Sequence, residues 1–199
     1  MENLLLQGYE LLTVLLPCAL AAWVLRRRGQ CMPPVLTAVF VLYLFGVLHV
    51  TSAGTIFDVL WRGAGVHGQV NLLPFSQEVD GTGYALNVLL FMPLGVLLPL
   101  LCLWWARLHR VAAAGLFLSL LIEVSQLLNN RSTDVDDLLM NTLGAVLGFV
   151  LFRVIYRRCA QDSTETTGRW LVLVYVLAAL GGRMLLFNEF GAAGLLYGF

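Results

Sequence analysis

The chain has 199 residues, 59% of them hydrophobic and 12% charged, with a mean hydropathy of +0.83. That is more apolar surface than a soluble core of this size needs, and several runs of about 18 or more apolar residues point to transmembrane helices instead. Net charge is zero and every Lys or Arg is an arginine, most of them in turns or at span ends, so there is no basic surface of the kind that binds nucleic acid.

In chain order, six apolar segments stand out: Tyr9–Leu25, Val35–Val50, Ala85–Trp104, Val111–Leu128, Leu138–Ile155 and Trp170–Phe187. Each is near the ~20 residues that a helix needs to cross the hydrocarbon core. The expected fold is an all-α polytopic transmembrane helix bundle of about six spans, one domain over residues 1–199. The start, Met1-Glu2-Asn3, lacks the basic region and small-residue cleavage site of a removable signal peptide. Arg26–Arg28, the Arg107/Arg110 turn and Arg157, Arg158 and Arg169 fall on one side of the bundle; Glu78, Asp80, Asp134, Asp136 and Asp137 fall on the other. The positive-inside rule makes the arginine-rich turns cytoplasmic and both termini extracytoplasmic. Two short basic turns suggest antiparallel hairpins of spans one and two and of spans three and four. The external Thr51–Tyr84 loop is the longest, and its pieces Ile56–Trp61 and Asn71–Phe75 are amphipathic enough to lie at the interface. None of Cys18, Cys31, Cys102 and Cys159 falls in an external loop, so no disulfide is expected.

Polar residues concentrate from Glu123 to Asn141. Glu123 and Gln126, three apart, share a face near the outer end of the fourth span. Glu123 lies about two turns below the external turn, where a carboxyl needs a partner, and Arg131 is the nearest candidate. Thr133 or Asp134 can cap the next helix, with Asp136 or Asp137 completing a capping box. Capping explains one or two of these acids; three in four positions is more than it requires. Asp134, Asp137 and Asn141 form an i, i+3, i+7 stripe, continued by Gly144 and Gly148 as a GxxxG close-packing face. Asn87 opens the third span ahead of a kinking Pro93. In the sixth span Arg183 lies too deep for an end anchor and has two candidate partners, Glu189 or the acidic cluster. His49 and His67 are external, but scattered His and Asp without ligand spacing make a weak metal signal.

The ordered set Asn71-Leu72-Leu73-Pro74-Phe75, Asn87–Phe91–Pro93–Gly95, Glu123–Gln126, Arg131, Asp134–Asp137 and Asn141–Gly144–Gly148 resembles the VanZ-like membrane proteins. The resemblance covers a motif-bearing core at about 71–148. It implies a multi-pass protein of the bacterial cell membrane with an accessory role in resistance to glycopeptide antibiotics, chiefly teicoplanin and lipoglycopeptides rather than vancomycin. It brings no agreed reaction with it, and a housekeeping role in the envelope fits it equally.

Three functions compete. In the first, a polar site built from Asn71, Asn87, Gln126, Arg131, Asp134, Asn141 and Arg183 binds the head group of a lipid-linked cell-wall precursor or lipoglycopeptide, with membrane lipids around the bundle. In the second, an intramembrane enzyme modifies an envelope lipid or lipid-linked precursor. There Glu123, partly withdrawn from water, is the general acid or base, Asp136 and Asp137 hold a divalent cation, and Arg131 clamps the anion. The third, a transporter, ranks last because the polar groups cluster on one side and no internal repeat is visible. The small-residue faces permit a homodimer without requiring one.

Overall fold

The computed structural model describes residues 2–30, 32–62, 70–71, 73–76, 80–129, 131, 133–156 and 167–197. They form the helices α1 (Glu2–Arg27), α2 (Pro34–Val50), α3 (Ile56–Arg62), α4 (Gly81–Leu101), α5 (Leu108–Gln126), α6 (Val135–Ile155), α7 (Thr167–Leu186) and α8 (Glu189–Tyr197). Five of these (α1, α4, α5, α6 and α7) are long and apolar enough to cross a membrane, while α2, equally apolar, has 17 residues. The six segments read from hydropathy are therefore all helical. All six begin earlier than hydropathy suggests; for α4 at Gly81 and α6 at Val135 the start is set by aspartates that cap them. Asp80 accepts a hydrogen bond from the Thr82 N–H at 3.1 Å and Asp134 from that of Asp136 at 3.0 Å, which satisfies first-turn donors before the apolar run begins.

The packing departs from a chain of hairpins. Neighbours α1 and α2 touch, as do α4 and α5, but α4 packs most extensively on α6, and α1 on α7. Small residues explain the pairing. A Cβ on Gly144 or Gly148 would run into the backbone of Val88 or Met92, and one on Gly95 into the Ala145 carbonyl, so α4 and α6 meet backbone to backbone. In α7, Gly182 lies against the Thr13 carbonyl and the ring of Pro17. Proline has no N–H to return to that carbonyl, so the proline and the glycine together allow α1 and α7 to approach closely. Buried Phe40, Phe91, Phe152, Leu44, Leu94, Leu98 and Ile122 fill the centre, while long apolar side chains such as Leu20, Leu89, Phe117 and Leu177 stay exposed on the outer faces. That inversion suits a lipid surround.

At the basic end Arg27 lies 3.9 Å over the Trp23 ring, and Arg110 lies 4.0 Å over Trp104 and donates to its carbonyl. Such Trp–Arg pairs are typical interface anchors. At the opposite end the chain between α2 and α4 folds down as α3 and then as a two-residue strand, β1 (Val70–Asn71). This strand pairs in parallel with β2 (Thr133–Asp134), with Asn71 opposite Asp134, and so brings the long loop onto the start of α6.

Candidate functional site

The first turn of α6 gathers the acids, and each meets a different neighbour. Asp134 receives the Asn71 amide at 3.3 Å while capping the helix. Asp136 is buried and accepts from the Phe75 N–H at 3.0 Å and from the Tyr84 hydroxyl at 2.6 Å. Asp137 takes the Asn87 amide at 2.5 Å. Two side chains of α4 and two groups of the preceding loop thus converge on one helix N-terminus, where negative charge is also favoured by the helix dipole.

Behind this rim lies Glu123 on α5, 2% exposed, with its Oε2 atom unpartnered among the described residues. Asp134, Asp137 and Arg131 are near enough to act on it electrostatically. Thr133 donates to its backbone carbonyl at 3.3 Å. The expected pairing with Arg131 takes another form, because that guanidinium donates to the Thr51 carbonyl at 3.0 Å. Gln126 donates to the same carbonyl at 2.7 Å. The residues just after α2 therefore act as a strap over the end of α5. Asn129 reaches the Ser52 carbonyl at 2.8 Å, and the Gly54 N–H meets Ser125 Oγ at 3.2 Å. The strap turns sharply at Ser52, whose φ of 50° lies in the left-handed region.

The stripe read from Asp134, Asp137 and Asn141 divides. Asp137 turns to α4, whereas Asn141, buried to 3% exposure, donates to Ser119 of α5 at 2.9 Å and leaves its Oδ1 unpartnered among the described residues. Arg183 is nowhere in this network. Its Nη1 pairs with Glu10 of α1 and its Nε donates to the Ala53 carbonyl at 2.9 Å. Glu189 acts on it electrostatically, but its ion pair is with Glu10, which the close approach of α1 and α7 at Gly182 brings opposite it. The other oxygen of Glu10 meets His49 Nδ1 at 2.7 Å. His67, Glu78, Cys31, Cys159, Arg157 and Arg158 lie outside the described residues.

Glu10, Tyr84 and Ser119 are the polar contributors that the sequence reading passed over. For Glu10 a signal existed: a lone acid in one apolar span and a lone arginine in another are each costly, and pairing them relieves both. Tyr84 and Ser119 carried none, since either suits a helix without any polar partner.

Chemically, Asp134 and Asp137, half-buried and already joined to amides, form a hydrogen-bonding rim suited to a ligand rich in N–H or O–H groups. Asp136 is fully engaged by two donors, and among the described residues no three His, Cys, Asp or Glu side chains come together as metal ligands. Comparison with known proteins adds one match: the family model described as VanZ/LLP1 covers residues 35–156, well over half of the chain. No curated protein and no solved structure matches it. The match takes in α2 to α6, while α1, α7 and α8 lie outside it.

Proposed function

The chain belongs to the VanZ/LLP1 family, which makes it a VanZ-like membrane protein linked to antibiotic resistance, and from that premise we propose a binding role for it. It contributes to resistance to teicoplanin and related lipoglycopeptides by holding a lipid-linked or lipidated envelope ligand at the extracytoplasmic end of the bundle. Polar groups of the ligand meet the rim of Asn71, Asn87, Asp134 and Asp137, flanked by Gln126 and Arg131. Its acyl chain runs down the lipid-exposed side of α4, where Leu86 and Leu89 are open. Each methylene so buried adds ~0.8 kcal/mol, which is how a lipidated antibiotic would be preferred over vancomycin. The observation that carries this reading is the rim itself: two half-buried amide–carboxylate pairs beside an exposed apolar helix face.

A second reading rests on the unpartnered Oε2 of Glu123. A buried carboxyl oxygen with unused bonding capacity suits a general acid or base acting on an envelope lipid. Asp137 would assist it, while Asp136 is less available, being tied to Phe75 and Tyr84.

One experiment separates the two. Teicoplanin and vancomycin susceptibility are measured in a sensitive Gram-positive host expressing the protein, with membrane levels checked by immunoblot. Binding predicts protection against teicoplanin alone, lost in Asn87→Ala and Asp137→Asn and partly kept in Glu123→Gln. Catalysis predicts that Glu123→Gln removes all protection at unchanged protein level. Absence of any protection by the parent protein would sink the resistance role itself.

A further inference from the structure

A cavity of ≈ 430 Å³ opens beside the strap, between α1, α2 and α7. Its size falls within the ~300–1,000 Å³ range of small-molecule sites. Its charged lining includes Glu10, Arg183 and Glu189 from outside the family match, together with Arg131 from inside it. Glu10 and Arg183 are 4% and 6% exposed and form an ion pair. Ionisable groups this deep in spanning segments mark a functional site by default.

The charges define the ligand. The Glu10 carboxylate is shared between Arg183 and His49, and Glu189 also acts electrostatically on Arg183. Asp58 turns its carboxylate to the N–H and hydroxyl of Thr55, both at 2.8 Å. What faces the cavity beyond these is exposed Arg131, which spends one donor on Thr51, and exposed Glu189 at the start of α8. Arg183 adds Nη2, since its described contacts use only Nε and Nη1. A ligand of one sign would meet a like charge, either Glu189 or Arg131. A ligand carrying both signs satisfies both. Leu6 and buried Phe187 add an apolar wall, and Leu5 and Leu186 nearby in the chain are open to lipid.

We propose that this cavity is a second binding site, for a zwitterionic aminoalkyl-phosphate head group, with the phosphate on Arg131 and Arg183 and the ammonium on Glu189. It goes beyond the antibiotic-binding reading and does not depend on it. The ligand chemistry is shared by phosphatidylethanolamine and by free phosphoethanolamine.

The test uses the purified full chain in dodecyl maltoside and follows its thermal unfolding midpoint with added dioleoyl phosphatidylethanolamine, phosphatidylglycerol or phosphatidylcholine. Phosphatidylethanolamine should raise the midpoint more than either of the others. Glu189→Gln and Arg131→Gln, both at exposed positions and each compared at its own lipid-free midpoint because Arg131 also holds the Thr51 carbonyl, should each weaken that response roughly tenfold or more in lipid concentration. Competition by soluble phosphoethanolamine would identify the head group alone as sufficient, and a lipid response without competition would assign the site to the membrane lipid. Equal stabilisation by phosphatidylglycerol, or an undiminished preference in Glu189→Gln, would overturn the proposal. No antibiotic enters this assay, so its failure is separate from any failure of the resistance reading.

Discussion

At the start of α6, three aspartates are shared out among amides, a hydroxyl and backbone N–H groups, most of them from the adjoining loop and helix, with Glu123 buried behind them. Between α1, α2 and α7, by contrast, one buried carboxylate is met by an arginine and a histidine from two other helices, beside an open cavity. The first region disperses its charge over many neutral partners, and losing any one leaves the rest in place. The second concentrates opposite charges in one pair, and losing either member strands the other. The two regions should therefore respond differently to substitution.

The largest expected effect is on the concentrated side. Arg183→Gln leaves Glu10 buried without its counter-charge, and such a loss typically destabilises by about 3–5 kcal/mol. Glu10→Gln in the same chain should restore much of that, because both charges are then gone. Unfolding in mixed micelles of increasing SDS fraction measures all three variants. If the double variant is as unstable as Arg183→Gln, the pair is not what holds α1 and α7 together.

On the dispersed side the strongest lever is packing rather than charge. Gly148→Val forces a branched side chain into the Met92 backbone, where no flexible neighbour can yield. Overpacking of this kind costs about 1–3 kcal/mol, and a clash with backbone belongs at the upper end. The same SDS titration should show it. Gly181→Val, whose added Cβ meets nothing within 4 Å, is the control that should unfold like the parent.

This contrast also governs what could be read without coordinates. Span positions were legible because apolar runs of membrane length have few alternatives. Asp134 as a cap and the Gly144–Gly148 face were legible too, since capping and close packing are local chemistry at fixed spacing. The donors that reach the acidic rim were not legible, since they lie 50 to 63 residues away in the chain. The partner of Arg183 was not legible either, because Glu10 is met only through the α1–α7 contact, which no local spacing encodes. Nor was the hairpin expectation a guide, as the closest pairings follow small residues rather than chain order. Arg131 shows the same limit at short range. It was the nearest candidate partner for Glu123 and does act on it electrostatically, yet its hydrogen bond goes to a backbone carbonyl that the strap after α2 offers.

The smallest expected effect sharpens the account of the dispersed side. Ser119 is fully buried and its hydroxyl oxygen accepts the Asn141 amide N–H, while Asn141 Oδ1 has no partner among the described residues. Removing one partner of a buried polar pair costs more than removing the polar group itself, because the survivor keeps its desolvation penalty. Ser119→Ala strands the whole Asn141 amide and should destabilise by about 1–3 kcal/mol. Asn141→Leu removes both the bonded nitrogen and the unsatisfied oxygen and fills a similar volume, so it should be close to neutral. Bonds of this kind between membrane helices average only about 0.6 kcal/mol, which leaves room for that outcome. If Asn141→Leu unfolds as readily as Ser119→Ala, the unpartnered oxygen is meeting something that stabilises it. Asn141 would then belong with the rim as part of the ligand site rather than with the packing of α5 against α6.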